Sequence, residues 1–507
     1  NEVKSLNYEV NEIDNIELLD TSSKDGHRIY IRGILYIMAK ALNEVYPEAL
    51  LSVNYQLSSA MFCKIDNMEI TDEMIANVKA RMQEIINQNL EIRKVVMTKE
   101  EAEEFYSNEK TLRGIVQIDN TQKEGVSLYY CEDYFNYFFG VMPVTTAYTD
   151  IFDVIKYGDG FLVRYPSAEK PNELTNYKSN KKLLSTLEEY EDIHRVLQID
   201  TLYKLNKEIK EGRTSNVILL SEALHEKKMA NIADDIAKRK NVKMVLIAGP
   251  SSSGKTTFAK RLGVELRLNG LKPVTISVDN YFVERVDNPK DENGDYDFEC
   301  LEAIDLELFN NHIKTLLDGG TIDVPTFDFK VGTKRYNGEK MHLADDEILV
   351  IEGIHCLNDK LTSSIPREQK YKIYISDLTV LNIDYCNRIS TTDTRLIRRI
   401  VRDNNFRGYS ALHTLRTWAS VNRGENKNIF PYQENCDVMF NSSLIYELSV
   451  LKKQALPLLQ EITNAEPEYA EAKRLVEFLK YFEEVDEGLI PQNSLLREFV
   501  GGSIFGD

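Results

Sequence analysis

The spacing of apolar residues changes several times along the chain and divides it into segments of different predicted structure. Residues 1–20 alternate loosely between apolar and polar, which predicts the end of a small β-rich unit. The spacing becomes that of an amphipathic helix over 32–45 and again over 72–89, where Thr71 is placed to cap the helix. Aromatic and β-branched residues dominate 126–165, which predicts strands joined by turns.

The second half of the chain alternates between strand and helix patterns. A polar stretch at 172–180 is the predicted linker, and charged helical segments fill 182–238. Predicted strands and helices then alternate from 241 to 460. This order predicts an α/β fold, with a parallel sheet flanked by helices.

A glycine-rich motif interrupts the first of these strand–helix units. Residues 249–256 read Gly-Pro-Ser-Ser-Ser-Gly-Lys-Thr, between an apolar strand at 244–248 and a helical pattern that continues from Thr257. The backbone N–H groups of such a loop and the positive end of its helix bind phosphates, so we expect a P-loop for ATP. Lys255 would reach the β- and γ-phosphates, and Thr256 would ligate Mg²⁺.

The ATP contacts expected from this motif form one continuous run. They are Gly249, Ser251, Ser252, Ser253, Gly254, Lys255, Thr256 and Thr257. We expect Gly249 and Gly254 to supply backbone angles that a side chain would obstruct.

Two of the predicted strands end in carboxylates. The strand at 274–278 is followed by Asp279, and the strand from 348 ends at Glu352. Because ligands of open α/β sheets bind at the carboxyl ends of strands, Asp279 is a candidate to activate or orient an attacking hydroxyl. Glu352 is a candidate Mg²⁺ ligand. The alternatives are an ordinary turn aspartate and a glutamate that caps the following turn.

Five arginines lie within residues 393–407, in a chain whose formal net charge is −19. Leu396 and Ile400 are placed to face a core, which leaves guanidinium groups on one side of a helix. Arg399 and Arg402 are three residues apart and therefore neighbours on that helix. Such donors stabilise charge on a transferring phosphoryl group, often from a closing lid. The alternative is a solvated basic face.

Composition narrows the class of protein. With 62 Lys+Arg against 81 Asp+Glu, a nucleic-acid partner is not expected. The six scattered cysteines contain no C-x-x-C pair, so we expect neither disulfides nor a compact zinc site, and a cytoplasmic location. No apolar run approaches the roughly 18 residues of a membrane helix, and we recognise no signal peptide. The chain begins with Asn1, so we expect further residues upstream.

Residues 241–460 resemble the uridine kinase and phosphoribulokinase family. The resemblance rests on 249–256, Val278-Asp279-Asn280-Tyr281-Phe282, Phe327-Asp328-Phe329, Ile351-Glu352-Gly353 and the arginine cluster. It implies a P-loop kinase fold, with Asp279 as the catalytic base and Lys255 as a catalytic cation. It implies that Mg²⁺ is held by Thr256 and Glu352. The implied lid consists of Arg399, Arg402 and Arg407, the last also an ATP contact, and the implied acceptor site of Tyr281, Glu299, Phe327 and Arg335.

Two positions depart from the pattern of this family. Its pyrimidine nucleoside kinases hold the ribose with an Asp-His-Pro segment, whereas this chain has Glu299 in place of that aspartate and lacks His-Pro. The histidine that reads the base aligns with Gly332, and Lys334 and Arg335 are nearby. Loss of a base-reading hydrogen bond relaxes or redirects specificity, so uridine does not follow as the acceptor.

The front half resembles the editing-side domain of threonyl- and alanyl-tRNA synthetases. The resemblance covers about 27–107, through 34–49, 70–75 and 90–102, and recurs at 131–134. The four metal-ligand positions of that domain are occupied here by Arg32, Tyr36, Phe138 and Met142. We therefore expect no zinc and no aminoacyl-tRNA hydrolysis. The roles left for the front half are those of a binding or regulatory module, or of a scaffold for homo-oligomerisation.

These expectations divide the chain into five segments. They are the end of a β-grasp (TGS-like) unit at 1–22, a synthetase-like α+β domain at 23–165, a helical connector at 166–240, the P-loop kinase domain at 241–460, and a C-terminal helix and tail at 461–507. The predicted activity is ATP-dependent phosphorylation of a small hydroxyl acceptor, most simply a nucleoside 5′-OH, with no membrane partner. The alternatives are a phosphoribulokinase-like sugar kinase and a non-catalytic ATP-dependent switch or RNA-associated protein.

Overall fold

The computed structural model describes residues 2–11, 15–107, 125–177, 179–290, 294, 296–328 and 331–506. Phe329 therefore lies outside the described residues, and so do residues 108–124 of the predicted synthetase-like segment.

Two antiparallel sheets and three helices make up the described front half. The helices are α1 (Lys24–Val45), α2 (Asp72–Asn87) and α3 (Lys99–Ser107). The strands are β1 (Leu51–Gln56), β2 (Ala60–Ile65), β3 (Arg93–Met97), β4 (Val126–Cys131), β5 (Tyr134–Tyr137), β6 (Asp153–Tyr157) and β7 (Gly160–Arg164). They pair in the orders β1-β2-β7-β6 and β3-β4-β5.

Local sequence signals account for the ends of the first two helices. Thr71 caps α2 as predicted, its hydroxyl accepting a hydrogen bond from Met74 N–H at 3.1 Å. Helix α1 begins eight residues earlier than the apolar spacing predicts, because Ser23 caps it by accepting from Gly26 N–H at 3.1 Å. It ends just before Tyr46-Pro47, because Pro47 has no backbone N–H to donate the hydrogen bond that a continuing helix needs.

The β-rich expectation for residues 1–20 is wrong for the part of this segment that the structure describes. Residues 2–11 and 15–20 contain no strand. Loose alternation of apolar and polar residues is too weak to specify a strand when no neighbouring strand pairs with it.

Three helices link the halves: α4 (Lys181–Leu197), α5 (Leu202–Lys210) and α6 (Thr214–Lys238). Two of them also flank the parallel sheet of the second half. Leu183, Leu187 and Tyr190 of α4 lie in the core on one face of the sheet, and α6 packs on the opposite face of the sheet.

The second half of the chain is built on a parallel sheet. Its elements are β8 (Met244–Ala248), α7 (Lys255–Leu268), β9 (Lys272–Ser277), α8 (Leu306–Leu317), β10 (Thr321–Asp328), β11 (Thr333–His342), β12 (Glu347–Glu352), β13 (Lys370–Ser376), α9 (Thr391–Arg402), α10 (Ala411–Asn428), β14 (Val438–Asn441), α11 (Glu447–Gln460), α12 (Tyr469–Leu479) and α13 (Arg497–Val500). Five strands pair in the order β14-β13-β8-β12-β9, all parallel. The predicted α/β class with a helix-flanked parallel sheet is confirmed.

The central strand β8 shows why this sheet is buried on both faces. Its residues alternate between two cores: Leu246 packs with α4 and α8, whereas Val245 and Ile247 pack with α6 and α7. All five residues of β8 are buried, as expected for a parallel strand covered by helices on both sides.

The two halves of the chain share backbone hydrogen bonds as well as a core. Val53 N–H donates to the Tyr385 carbonyl at 2.8 Å, and the Asn382 amide donates to the Val53 carbonyl at 3.0 Å. Tyr55 and Phe62 of the front half belong to the same apolar cluster as Leu246 of the central strand. The front half therefore packs directly on the second half.

Among the helices that the structure describes, none is long and apolar enough to cross a membrane. All six cysteines are described, and each is a free thiol.

Candidate active site

The loop at residues 249–256, called here the phosphate loop, joins β8 to α7 as predicted. Gly254 adopts φ +84°, a left-handed conformation that favours glycine. The reason for Gly249 differs from the prediction. A Cβ atom there would lie 1.9 Å from the Ile375 carbonyl oxygen of β13, so this position needs glycine for close approach of the backbone.

Lys255, at the start of α7, is folded back onto the phosphate loop. Its ammonium donates to the carbonyls of Gly249 at 2.9 Å and Pro250 at 3.0 Å. Thr256 is exposed, so its hydroxyl is accessible to a ligand. Ser252 and Ser253 are buried, so a ligand would meet these two residues through their backbone.

A buried arginine of α9 holds the first half of the phosphate loop. Arg395 is 2% exposed and forms a two-point ion pair with Glu425 of α10, at 2.7 and 2.9 Å. The same two side chains bind the loop backbone: Arg395 donates to the Ser251 carbonyl at 3.2 Å, and Glu425 accepts from Ser251 N–H at 2.8 Å. The two charges are paired, as burial requires, and Nη1 and Nη2 of Arg395 donate to these partners, while its buried Nε meets no acceptor in the described chain.

Arg398, one helical turn further along α9, repeats this arrangement. It is 1% exposed, pairs with Glu447 at 2.6 Å and donates to the Ser252 carbonyl at 3.3 Å. The predicted arginine cluster facing a ligand did not include the role of Arg395 and Arg398 as anchors. Arg395 and Arg398 are three residues apart and so share one face of α9, which is the sequence signal that could have indicated their shared role. No sequence signal identified their partners, Glu425 and Glu447.

The predicted lid arginines gather around one carboxylate, Asp403, at the start of a turn of π-helix (Asp403–Arg407). Arg399 pairs with Asp403 at 3.2 Å, Arg402 at 2.8 Å and Arg407 at 3.7 Å. Arg399 also donates to the Ser251 hydroxyl at 2.8 Å. Arg407 is 51% exposed, so it is the member most able to move toward a ligand.

Asp279 follows β9, and Glu352 ends the neighbouring strand β12, so the two carboxylates lie at one edge of the sheet. Asp279 is accessible to solvent, yet the protein atoms around it raise the pKa of its carboxyl, against the opposing effects of Lys255 and Arg407. Burial, and then the negative charge of Asp279, raise the pKa of Glu352 to about 7. Glu352 also accepts a hydrogen bond from the Ser277 hydroxyl at 2.9 Å.

Glu299 joins this acidic group from a loop. Burial, and then the charge of Glu425, raise its pKa to about 7, while Arg399 opposes the shift. The side chain lies against Gly424 of α10, where an added Cβ would come within 2.4 Å of the Glu299 Cβ. Glycine at 424 therefore makes room for Glu299.

Two predicted acceptor contacts are instead core residues. Tyr281 is 0% exposed, packs edge-on against Phe309 and shares a hydrogen bond of 3.1 Å with His312. Phe327 is 6% exposed and contacts the Phe282 ring at 5.5 Å. That their side chains bind the acceptor stays a prediction, and their burial does not support it, because an aromatic residue after a strand serves equally well to close a core.

The remaining predicted contact, Arg335, lies on the β10–β11 hairpin. It is 56% exposed and pairs with Asp328 at 3.1 Å. Gly332 in the adjacent turn has φ +81°, and a Cβ there would lie 2.6 Å from the Arg285 side chain. A histidine at this position would be strained and would displace Arg285, which explains why this chain has glycine here.

The donor set at the strand ends fits a hard divalent cation. Asp279 and Glu352 are like-charged neighbours, and a cation between them would relieve the repulsion that raises the pKa of Glu352. No group of three or more acidic, histidine or cysteine ligands occurs in the described chain. A Mg²⁺ ion bound with ATP needs only one or two protein oxygens, because phosphates and water complete its shell.

A carboxylate from the C-terminal segment occupies the start of α7. Glu498 of α13 accepts from Thr257 N–H at 3.0 Å, and its charge contributes to the raised pKa of Glu352. The Phe505 carbonyl accepts from the Lys260 ammonium at 3.1 Å. The last residues of the chain therefore lie against the P-loop helix, a contact that no sequence motif predicted.

The four positions that the predicted synthetase resemblance aligns with metal ligands lie close together. The rings of Tyr36 and Phe138 are 5.7 Å apart, and Arg32 donates to the carbonyl of Val141, the residue before Met142. Tyr36 hydrogen-bonds to the Tyr129 carbonyl at 3.0 Å and contributes to the core.

Comparison with known proteins agrees with this geometry. The model of the phosphoribulokinase/uridine kinase family matches residues 244–447. A uridine kinase from Ligilactobacillus salivarius is 30% identical over 187 residues, which cover 78% of that protein and 37% of this chain. The chain belongs to the phosphoribulokinase/uridine kinase family. Its second half is an ATP-dependent kinase domain.

Two further similar proteins are a curated relative and a solved structure. The uridine kinase of Bacillus subtilis is 27% identical over 222 residues, covering 96% of that protein and 43% of this chain. The solved structure of a possible uridine kinase from Bacillus stearothermophilus is 20% identical and covers 42% of this chain and 100% of that one, with a TM-score of 0.25.

Replacement of Glu425 by Gln tests the anchoring of the phosphate loop. The change leaves the buried guanidinium of Arg395 unpaired, so we expect the free energy of unfolding to fall by about 3–5 kcal/mol. Chemical denaturation measures this change. Glu466→Gln is the matched control, because Glu466 pairs with Arg416 at the surface, where the loss is about 1 kcal/mol or less. Equal small effects of both substitutions would contradict the anchoring role.

Proposed function

We propose that this chain transfers the γ-phosphoryl group of ATP to a hydroxyl group of a small acceptor, with a nucleoside 5′-OH as the first candidate. One observation is the main support: Asp279, Glu352 and Lys255 act electrostatically on one another beside the phosphate loop, and Asp279 is accessible to solvent. An accessible carboxylate next to a phosphate-binding loop has the position that a base for an attacking hydroxyl needs.

Asp279 accepts the proton of the acceptor hydroxyl in this proposal. Its surroundings raise its pKa, which brings the carboxyl closer to the range in which a general base is efficient. Lys255 leaves the carbonyls of Gly249 and Pro250 and binds the β- and γ-phosphates, while the phosphate-loop amides bind the triphosphate.

Glu352 and the Thr256 hydroxyl would hold Mg²⁺, which when bound neutralises charge on the phosphate oxygens. The arginines around Asp403 supply further positive charge. Arg399 and Arg402 lie nearest to that carboxylate and orient the turn, while the exposed Arg407 approaches the triphosphate and lowers the pKa of Asp279 by its charge.

Glu299 supports an acceptor with several hydroxyl groups. Its carboxylate shares electrostatic contacts with Asp279 and Arg399, so an acceptor held at Glu299 would lie beside the base. A carboxylate accepts hydrogen bonds from two hydroxyl groups of a sugar ring, as in the ribose of a nucleoside. The uridine kinases among the relatives favour a nucleoside.

A sugar-like alcohol is the second candidate, and the turn at Gly332 favours it. This position offers no side chain for reading a base, and Arg285 fills the adjoining space. An acceptor that has no base would lose no hydrogen bond when glycine stands in place of a base-reading histidine.

We also infer that the front half has the architecture of a tRNA-synthetase editing domain without its metal site. The support is that Arg32 and Tyr36 converge on one region with Phe138 and Met142, which follow far along the sequence. The domain boundaries, the cytoplasmic location and the homo-oligomer stay predictions.

Product analysis of the full chain with Mg-ATP tests the kinase proposal. We expect a phosphorylated nucleoside or sugar alcohol by mass spectrometry, and a loss of turnover of about 10²–10⁴-fold in Asp279→Asn. ATP binding should persist in that variant, because Asp279 does not hold the phosphates. Asp346→Asn, at an exposed ion pair with Lys272, is the control and should keep full activity. ATP binding without product from any acceptor would instead support a nucleotide-dependent switch.

Replacement of Glu498 by Gln tests whether the C-terminal segment competes with the triphosphate. A carboxylate at Thr257 N–H repels phosphates and occupies one of the donors that they need. We expect Mg-ATP to bind roughly two- to fivefold more tightly to the variant, from about 0.3–1 kcal/mol at a helix N-terminus. Calorimetric titration measures this, with the exposed Glu484→Gln as control. Weaker binding to Glu498→Gln would show that the segment helps to hold ATP.

A further inference from the structure

A cavity of about 1430 Å³ lies between the front half and the kinase half. Its walls come from α1, the segment after β5, the loop that precedes α9, and α12. None of the residues assigned above to the kinase site lines it, so it is separate from the phosphate loop. The volume exceeds the roughly 300–1,000 Å³ of common small-molecule sites.

Two of the arginines in this cavity lack an acidic partner among the described residues. Arg32 binds only the Val141 carbonyl, and Arg388 has an inaccessible Nε that meets no acceptor in the described chain. Two neighbouring arginines differ. Arg28 and Arg474 both pair with Asp393, Arg474 at 2.8 Å and Arg28 at 3.4 Å.

An unpaired guanidinium in a part-buried site is costly, because arginine does not lose its proton under ordinary conditions. Burial, and then the charge of Arg28, lower the pKa of Arg32 to about 10, and burial also lowers the pKa of Arg388. A chain with 81 acidic residues has ample carboxylates to neutralise these groups, yet none is placed within ion-pair distance among the described residues. Asp393 acts electrostatically on Arg388 but already pairs with Arg28 and Arg474. Because Arg32 and Arg388 both line the cavity, positive charge remains there for an external anion.

Aromatic residues line the same cavity beside these arginines. Tyr129 donates to the Gly140 carbonyl, and the Phe139 ring lies edge-on to Tyr481 at 5.6 Å. Arg32 crosses Gly140, where a Cβ would lie 2.7 Å from its Nη1. Glycine at 140 thus leaves room for the guanidinium next to the aromatic wall.

We propose that this cavity binds a phosphorylated small molecule, whose phosphate is received by Arg32 and Arg388 and whose ring packs on the aromatic wall. Guanidinium groups match phosphate oxygens with paired, charge-assisted hydrogen bonds. A ring on Tyr129 or Phe139 adds apolar contact. This site goes beyond the proposed kinase activity and does not depend on it.

Thermal unfolding of the full chain, with and without inorganic phosphate or AMP, tests the site. Both probes should raise the Tm of the native chain. Arg388→Met should lose most of this rise and bind AMP about tenfold or more weakly, while its Tm without ligand stays equal to or above the native value. Arg474→Met is the control: it breaks paired interactions with Asp393, so its Tm without ligand should fall.

Lys255→Met separates this cavity from the phosphate loop. It should retain the Tm rise that Arg388→Met loses. A full phosphate and AMP response in Arg388→Met would overturn the proposal, since the anion would then bind elsewhere. The proposal would also be overturned if Arg388→Met had a lower Tm without ligand and still showed the rise in Tm with phosphate and AMP. Arg388 would then be a structural residue.

Discussion

The buried ion pair between Arg395 and Glu425 is the interaction on which the candidate active site depends. Both side chains bind the backbone of Ser251, one through its N–H and the other through its carbonyl. Since two buried charges are tolerated only when paired and hydrogen-bonded, α9, α10 and the phosphate loop constrain one another. The loop is therefore held by helices outside the strand–loop–helix unit itself.

A second constraint is the concentration of negative charge at the carboxyl edge of the sheet. Asp279, Glu352 and Glu299 all have raised pKa values, in each case chiefly because the surrounding protein atoms disfavour the charged carboxylate. This arrangement costs stability in the free protein and becomes favourable when cations approach. Lys255 and Arg407 already oppose the shift of Asp279, and a metal bound with ATP would add to them.

The sequence predicted most of the kinase half because its signals are local. The strands before Gly249 and Asp279, the phosphate loop and the arginine-rich helix each follow from residues close in sequence. The features that no local signal predicted are contacts between distant segments: Gly249 is needed for approach to β13, Tyr281 packs on Phe309, and Glu498 reaches the P-loop helix. Such pairings need the packed fold, which apolar spacing alone does not specify.

A crystal structure of the chain with Mg²⁺ and a non-hydrolysable ATP analogue tests the account most directly. The prediction is that the phosphates lie on the amides of the phosphate loop, with Lys255 on the γ-phosphate and Asp279 facing it. Glu498 should have left Thr257, and the contacts of Arg395 and Glu425 with Ser251 should be unchanged. A nucleotide bound elsewhere, or a phosphate loop rebuilt with the Arg395–Glu425 pair broken, would contradict it.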